Sequence, residues 1–369
     1  MKIVVLRENL VFGLSVVERA VGVGSNLPIL KNVLFSAHEG IISLTATNLE
    51  IAVTHNISGK VLENGEITCP FQILNAAIKN VAAERIALEQ VGKKLAVSTD
   101  NYDAQIQTQD PKEYPLIPSV QTSAPTVSLD AASLTHALSS VIVATQYTDI
   151  RPEISGVLFR FHEEGLTLVA TDSFRLAEFR LVNKGVVGGG IDAIVPLRAA
   201  EEVLRIIQTE ESGSLVEITL EPNQVLFKTS RTRLISRLID GRFPEYHAII
   251  PKEVKHEAVI AREEFARAVR ATSSFAGRAS DVTLTVSENK KFLELSSSDA
   301  ALGEGRSRVP IKIKGEKFSA AFNWRYFLDG LKIYQGPYVK LGMNAPDRPV
   351  VISDPDAAYL TYVVMPIKT

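Results

Sequence analysis

One pattern recurs three times along the 369 residues of this chain. In each copy, two alternating apolar segments are separated by a short polar turn, and a Thr/Ser–Asn/Asp pair then leads into a third alternating run. Alternation with a period of two, broken by polar turns, predicts a β-hairpin that continues into a further strand. The three copies are Val33–Val53, Gly156–Leu181 and Val282–Val309, and their landmark residues Asn48, Asp172 and Asp299 are 124 and 127 residues apart.

Predicted helices recur at the same spacing along the sequence. A proline or asparagine opens an amphipathic helix at Pro70, Pro196 and Asn323, which are 126 and 127 residues apart. Proline suits the first turn of a helix and asparagine suits an N-cap, so the three openings are physically equivalent. A second helix heads each copy, with apolar residues at helical spacing from Leu10, Leu134 and Phe265.

These repeats predict an α+β fold of three homologous domains, each with two helices and mostly antiparallel strands. The alternative is that three similar α+β domains share landmarks by chance. Several kinds of landmark at one common step argue against chance. Segments rich in turn formers or charge near 119–125 and 251–257 give domains 1–122, 123–252 and 253–369.

Composition narrows the class of protein. Hydrophobic residues make up 46% and charged residues 22%, as in ordinary globular proteins, and the formal net charge of -2 argues against a surface that is basic throughout. A single cysteine, Cys69, excludes an internal disulfide and fits a reducing compartment. No apolar run has the length of a membrane span, and the N-terminal MKIVVL predicts a first strand rather than a signal peptide. We therefore expect a cytoplasmic protein.

Basic residues recur on the predicted helices. A solvated amphipathic face would explain any single helix, but their repetition suggests a modestly basic surface that attracts duplex DNA without reading its sequence. The chain has no zinc-finger spacing, RNP aromatic motif or lysine-rich tail that would indicate sequence-specific binding. The candidate DNA-facing residues are Lys79, Arg198, Arg205, Arg267 and Arg270.

Four segments resemble the bacterial DNA sliding clamp family, the β subunit of DNA polymerase III. They are ATDSFRLA (170–177), LIDGRFPEY (238–246), YVVMPI (362–367) and NLPIL (26–30). The similarity extends over the whole chain in length, motif order and threefold repetition. It implies a homodimeric ring with helices lining the hole and antiparallel sheets outside, a processivity factor that encircles double-stranded DNA. The partners it implies are DNA polymerase III and other polymerases, an ATP-driven clamp loader and mismatch-repair proteins.

The resemblance also implies a pocket for extended partner peptides between the second and third domains. One subsite would be lined by Ile154, Thr171, Phe174, Arg175, Leu176, Pro244, Ile249, Val363 and Met365, and the adjoining groove by Asn323, Tyr326, Met365, Pro366, Ile367 and Lys368. Read alone, residues such as Ile154, Leu176 and Val363 would be assigned to a hydrophobic core. The family often has a histidine immediately before the Arg-Leu pair, whereas this chain has Phe174. The phenyl ring keeps an apolar wall but loses hydrogen bonding, so the peptide preference is expected to differ.

For the ring seam, we predict that edge strands of two chains pair. The strands are those near Ala104–Gln109 in the first domain and Ala300–Arg306 in the third domain of the other chain, with Phe275 as an apolar contact.

Two other classes of function compete with this interpretation. The sequence gives little support for an enzyme. Its six histidines are scattered, and it has no zinc-ligand spacing, Walker loop, GxGxxG or GxSxG motif. We expect no catalytic residues, metal or cofactor, a loop at the glycine-rich stretch 185–190, and a structural ion pair between Asp172 and Arg175. A scaffold that does not bind DNA is the second alternative, and gel filtration as a dimer would disfavour it.

Overall fold

A computed structural model describes residues 1–22, 24, 26–120, 124–182, 190–356 and 358–367 of the chain. The glycine-rich stretch predicted as a loop lies outside these residues except for Gly190, and Lys368 also lies outside them. The helices predicted from the repeat are confirmed. Within the described residues they are α1 (Arg7–Val17), α2 (Phe71–Asn80), α3 (Ala131–Val141), α4 (Leu197–Ile207), α5 (Arg262–Ser273) and α6 (Trp324–Lys332).

The described strands confirm the three predicted hairpins, each with a continuing strand, at residues 32–57, 156–182 and 281–314. In chain order the strands are β1 (Lys2–Leu6), β2 (Asn32–His38), β3 (Ile41–Thr47), β4 (Ile51–Ile57), β5 (Gly59–Glu63), β6 (Gly65–Pro70), β7 (Arg85–Val91), β8 (Lys94–Ser98), β9 (Asp103–Gln107), β10 (Thr126–Asp130), β11 (Gly156–His162), β12 (Gly165–Thr171), β13 (Arg175–Val182), β14 (Ile191–Pro196), β15 (Leu215–Glu221), β16 (Gln224–Lys228), β17 (Thr232–Arg237), β18 (His256–Ala261), β19 (Asp281–Val286), β20 (Phe292–Asp299), β21 (Gly303–Lys314), β22 (Ser319–Asn323), β23 (Tyr338–Met343), β24 (Val350–Ser353) and β25 (Leu360–Val364).

The chain divides into two compact units. The first unit comprises Met1–Ala132 and Glu202–Leu238. It holds a five-stranded sheet in the order β5-β1-β7-β8-β9 and an eight-stranded sheet in the order β10-β15-β16-β17-β4-β3-β2-β6. The two segments of this unit pair with each other where β17 lies beside β4, with Thr232 opposite His55. Leu10, Leu14, Phe35 and Phe71 are fully buried in this unit.

The second unit comprises Ser133–Glu201 and Ile239–Thr369. Its twelve-stranded sheet has the order β14-β11-β12-β13-β25-β24-β23-β18-β21-β20-β19-β22. In this unit β13 pairs with β25, with Leu176 opposite Val363. The ring of Phe327 packs edge-on against the rings of Phe265 and Phe322, at centroid distances of 5.5 and 5.2 Å.

Helix α5 illustrates why these helices form at a sheet face. Phe265, Val269 and Thr272 recur at intervals of four and three residues and are all buried. Arg267 and Arg270 lie on the opposite, exposed side. A helix with this pattern is stabilised by burying one face and solvating the other, so the sequence specifies both the helix and its orientation.

Candidate functional site

The turn between β12 and β13 is held by side-chain hydrogen bonds and presents an exposed aromatic ring. The Asp172 carboxylate accepts hydrogen bonds from the backbone N–H groups of Phe174 (2.9 Å) and Arg175 (3.0 Å). The Thr171 hydroxyl donates to the Arg175 carbonyl at 2.7 Å. Ser173 takes a φ of 77°, in the left-handed region. With its backbone held in this way, Phe174 leaves 59% of its surface exposed.

Arg175 is the charged centre of the site. Its guanidinium contacts Asp172 at 3.0 Å and Asp329 of α6 at 2.7 Å, and it lies 4.6 Å from the centre of the Tyr326 ring. Its side chain is only 11% exposed, so both acids and the ring satisfy a largely buried charge. Burial raises the pKa of the Tyr326 phenol, and Asp172 raises it further while Arg175 opposes the shift, so Tyr326 is neutral at pH 7. The structural ion pair predicted between Asp172 and Arg175 is confirmed.

The apolar residues of the predicted pocket fall into two groups. Ile154, Leu176 and Val363 are buried. Leu176 and Val363 belong to a core cluster that includes Phe243 and Tyr246, with Val351 packed against it. They can support a pocket from beneath, but they offer little surface to a peptide. The exposed apolar side chains are Phe174, Ile249 (38%) and Ile367 (37%).

The last described residues are tied to this region by backbone hydrogen bonds. The N–H of Met365 donates to the carbonyl of Phe174 and that of Ile367 donates to the carbonyl of Ala321, both at 2.8 Å. Asn323 caps α6 by accepting from the Arg325 N–H at 3.0 Å, as its sequence position predicts. Pro244, Asn323, Tyr326, Met365 and Pro366 are half-buried.

The structure adds residues that sequence reasoning missed. Asp329, which bridges to Arg175, lies 154 residues further along the chain. Arg151 donates to the Ser173 hydroxyl at 2.9 Å and so supports the turn from another side. Neither residue carries a local signal, because a lone acid on a helix or a lone arginine in a loop is ordinary surface chemistry until the fold supplies its partner.

The five candidate DNA-facing residues do not behave alike. Lys79, Arg198, Arg267 and Arg270 are exposed on their helices. Arg205 instead pairs with Glu202, whose side chain is 1% exposed, and donates to the Val16 carbonyl at 2.6 Å. The charge of Arg205 is therefore used inside the first unit, where it neutralises a buried acid and satisfies a carbonyl in the last turn of α1.

Two of the residues predicted for the seam, Ala104 and Arg306, lie on strands with an edge that at these positions pairs with no strand among the described residues. Strand β9, which contains Ala104, is the edge of the five-stranded sheet. Strand β21 pairs with β20 over residues 303–310, but it pairs with β18 only over residues 311–314. Ala300 and Arg306 are exposed, and the Phe275 ring packs directly over Gly305.

Gln109 is used within its own domain. Its side-chain carbonyl accepts from the Asn32 amide at 2.8 Å, and its backbone carbonyl accepts from the Thr68 hydroxyl at 2.7 Å. These bonds fix the chain just after β9.

Three family profiles match consecutive parts of the chain. They are the N-terminal, central and C-terminal domains of the DNA polymerase III beta subunit, at residues 1–118, 128–245 and 247–368. The chain belongs to this family of bacterial sliding clamps. The "Beta sliding clamp" of Synechococcus elongatus is 29% identical over 373 residues, covering 100% of this chain and 99% of that protein. That of Bacillus subtilis is 24% identical and covers 100% of both.

Solved clamps have the same fold. The Bacillus subtilis sliding clamp aligns with a TM-score of 0.95 at 22% identity, covering 100% of this chain and 99% of that one. The Bartonella birtlesii clamp, solved bound to griselimycin, aligns with a TM-score of 0.94 at 26% identity over 100% of both chains. The α+β fold of three clamp domains predicted from the repeat is thus confirmed. No helix among the described residues is long and apolar enough to cross a membrane.

Proposed function

We propose that this chain is a non-catalytic processivity factor, a clamp of two chains that encircles duplex DNA and tethers polymerases and repair proteins to it. The observation that carries the proposal is the pair of open strand edges on a chain built from three consecutive clamp domains. The three clamp domains of this proposal are residues 1–122, 123–252 and 253–369. We also place the protein in the cytoplasm, with the replication machinery that its relatives are named for.

The repeat indicates how the ring would close. Strands β4, β13 and β21 occupy equivalent places, as do the last strands of each domain, β9, β17 and β25. Within the chain, β4 pairs with β17 and β13 pairs with β25. The remaining members, β21 and β9, both have an open edge, so we propose that β21 of one chain pairs with β9 of another. Two such seams would give a symmetric head-to-tail dimer.

The β4–β17 and β13–β25 pairings within the chain predict the register of this seam. In the first unit, Val53 is opposite Leu234 and Thr54 is opposite Arg233. Val53 and Thr54 of β4 correspond in their hairpin to Gly305 and Arg306 of β21. Leu234 and Arg233 of β17 correspond in theirs to Ala104 and Asp103 of β9. The same pairing at the seam places Ala104 opposite Gly305 and Asp103 opposite Arg306. Ala104 would then meet the Phe275 ring that covers Gly305. Asp103 would meet an arginine that is 75% exposed in the single chain, and opposite charges on facing strands are stabilising.

Cysteine pairs test this register. Oxidation of the double variant Asp103→Cys, Arg306→Cys should give covalent dimers of the 40.3 kDa chain, because directly opposed residues lie within disulfide reach. The control pairs Gln105→Cys with Arg306→Cys and should cross-link poorly. Equal cross-linking of both variants, or none of either, would contradict the register.

DNA would be retained because the ring encloses it, rather than because the protein binds it tightly. Lys79, Arg198, Arg267 and Arg270 offer exposed charge to a phosphate backbone without any feature that reads bases. Weak attraction of this kind allows sliding, while the closed ring prevents escape.

Partner peptides would bind beside the turn 171–175. Phe174, Ile249 and Ile367 supply exposed apolar surface, and the half-buried Pro244, Tyr326, Met365 and Pro366 border it. Burying two or three apolar anchors contributes about 1.5–3 kcal/mol each, offset by ordering the peptide. The resulting micromolar affinity would let DNA polymerase III, other polymerases, an ATP-driven clamp loader and mismatch-repair proteins exchange on one site.

The decisive experiment uses topology. After loading by a clamp loader, the protein should remain on nicked circular DNA through gel filtration and should be released when the circle is linearised. A DNA-binding protein that grips its substrate would stay on both forms, and a scaffold would bind neither. Either result would refute the clamp proposal.

A further inference from the structure

One face of the eight-stranded sheet carries a groove that the proposed function does not use. Residues 117–120, at the end of the N-terminal clamp domain, pass over the sheet near β4, β16 and β17. They enclose a cavity of about 600 Å³ between themselves and the strands. Ala52, Leu226 and Ile235 line it from the sheet, and Ile117 and Val120 line it from the chain above. This volume lies within the usual range of ligand pockets.

The groove is the repeat counterpart of the packed region beneath the turn 171–175. Ala52 is opposite Ile235, which is opposite Leu226 on the next strand. In the second unit the equivalent neighbours are Leu176, Val363 and Val351. There Leu176 and Val363 belong to a buried cluster with Phe243 and Tyr246, and Val351 packs against it. The first unit has alanine in place of Leu176, so the same backbone arrangement leaves open space.

Charge at the groove is unbalanced. Lys228 is neutralised by Glu217 at 2.6 Å. Arg233 is exposed at the wall and forms no ion pair within the part of the chain that the structure describes. Thr54 and Thr219 also line the space, and their hydroxyls are hydrogen-bonded to those of Thr45 (3.0 Å) and Thr126 (2.9 Å). The lining therefore combines an apolar floor with one cation that has no ion-pair partner among the described residues.

We propose that this groove is a second peptide-binding site, for an extended acidic segment of a partner protein. Successive side chains of an extended peptide point to opposite sides. A segment that alternates leucine with aspartate would direct its leucines to Ala52, Leu226 and Ile235 and its carboxylates toward the rim at Arg233. The proposal stands on the cavity and its charge, and it does not require the pocket beside Phe174.

Methyl NMR of the full-length protein, labelled at isoleucine, leucine and valine methyl groups, tests this site directly. The probe is an acetylated, amidated hexapeptide of alternating aspartate and leucine, titrated to about 2 mM. Saturable shifts are expected at Ile117, Leu226 and Ile235, with half-saturation below about 1 mM, typical of a small, partly exposed contact. Ile249 and Val363 report on the other pocket in the same spectra, so binding at the two sites is measured separately.

Two variants and two controls make the result decisive. Arg233→Glu should weaken binding about tenfold, whereas Arg85→Glu, an exposed arginine of β7 outside the groove, should leave it unchanged. Ala52→Leu, which introduces the residue found at the equivalent position 176, should make the groove shallower and reduce the shifts. A peptide with lysine in place of aspartate should not bind.

Several results would overturn the proposal. These are no shift at the groove methyls, shifts confined to Ile249 and Val363, or equal losses from Arg233→Glu and Arg85→Glu. The last would mean general electrostatic attraction. None of these outcomes bears on retention of the protein on circular DNA, so this inference can fail without the clamp function failing.

Discussion

The turns at 47–51 and 171–175 have the same backbone and different chemistry. In the first, the Asn48 side chain accepts from the backbone N–H groups of Glu50 and Ile51 at 3.0 and 2.9 Å, and Leu49 has a φ of 75°. Asp172 and Ser173 reproduce these features in the second. The Arg237 N–H donates to the Glu50 carbonyl just as the Met365 N–H donates to Phe174. The capping residue thus fixes the turn, and the remaining side chains are free to define its function.

The difference lies in what each turn presents. The first has Glu50 and the buried Ile51, whereas the second has the exposed ring of Phe174 and the ion-paired Arg175. A third copy at Asp299 caps Ala301 and Leu302 in a similar way and leads into the open edge of β21. One inherited turn therefore stands at two internal junctions and at the proposed seam. The following predictions test how far the first two copies differ.

The largest expected effect comes from removing the charge at the second turn. Arg175→Ala should destabilise the protein by about 4 kcal/mol, because it leaves the Asp172 carboxylate, 3% exposed, without its ion pair. Combining Asp172→Asn with Arg175→Ile, which copies the chemistry of Asn48 and Ile51, should recover more than half of that loss. Denaturant unfolding measures both variants. If the double variant were no more stable than Arg175→Ala, the two turns would not be equivalent.

Acid should weaken the first junction through His55. Its ring is buried and hydrogen-bonded to Thr232 at 2.9 Å, and burial, with a smaller contribution from Arg231, lowers the pKa of His55 from 6.5 to about 4. The unfolded chain therefore takes up a proton first as pH falls. Stability is fully present above about pH 6.5 and is lost between pH 6.5 and 4, by about 3 kcal/mol.

The equivalent position at the second junction is Phe179, opposite Leu360. His55→Phe should therefore flatten the stability curve between pH 6.5 and 4, as measured by urea unfolding at a series of pH values. An unchanged slope in this variant would show that another group controls the acid response.

The exposed ring should control partner affinity. Phe174→Glu is expected to weaken binding of a peptide containing leucine and phenylalanine by about 2 kcal/mol, since it removes apolar contact surface and adds a charge. Its melting temperature should stay near that of the parent, because the ring is largely exposed. The matched control is Glu50→Phe, which places the ring on the first turn and should not change affinity. Fluorescence anisotropy compares the two, and equal effects would mean that the turn at 171–175 is not the peptide site.

The smallest effect is expected from Asp172→Asn alone. The amide oxygen can still accept from the N–H groups of Phe174 and Arg175, and Arg175 keeps its contact with Asp329. The free energy of unfolding, measured by thermal unfolding, should fall by about 1 kcal/mol. A loss as large as that of Arg175→Ala would assign the whole stabilisation to the charge of Asp172.

Much of the site's framework could be predicted from local sequence. The Thr-Asp pair at 171–172 marked the turn, and Asn323 marked the start of α6. The state of each pocket residue could not be predicted in the same way. Leu176 and Val363 are buried while Phe174 is exposed, although all three are apolar residues of the same predicted pocket. Arg205 was predicted to face DNA, but it is bound by Glu202 and the Val16 carbonyl.

The sequence by itself determined the threefold repeat, the positions of the helices and hairpins, and the family, because each depends on residues within one short segment or on fixed spacing along the chain. Only the tertiary structure decided that Asp329 joins Asp172 in neutralising Arg175, that a cavity lies over Ala52, and which strand edges stay open. These depend on side-chain volume and charge brought together from segments more than 100 residues apart. No local pattern carries that information, because burial and pairing are set by the neighbours that folding supplies.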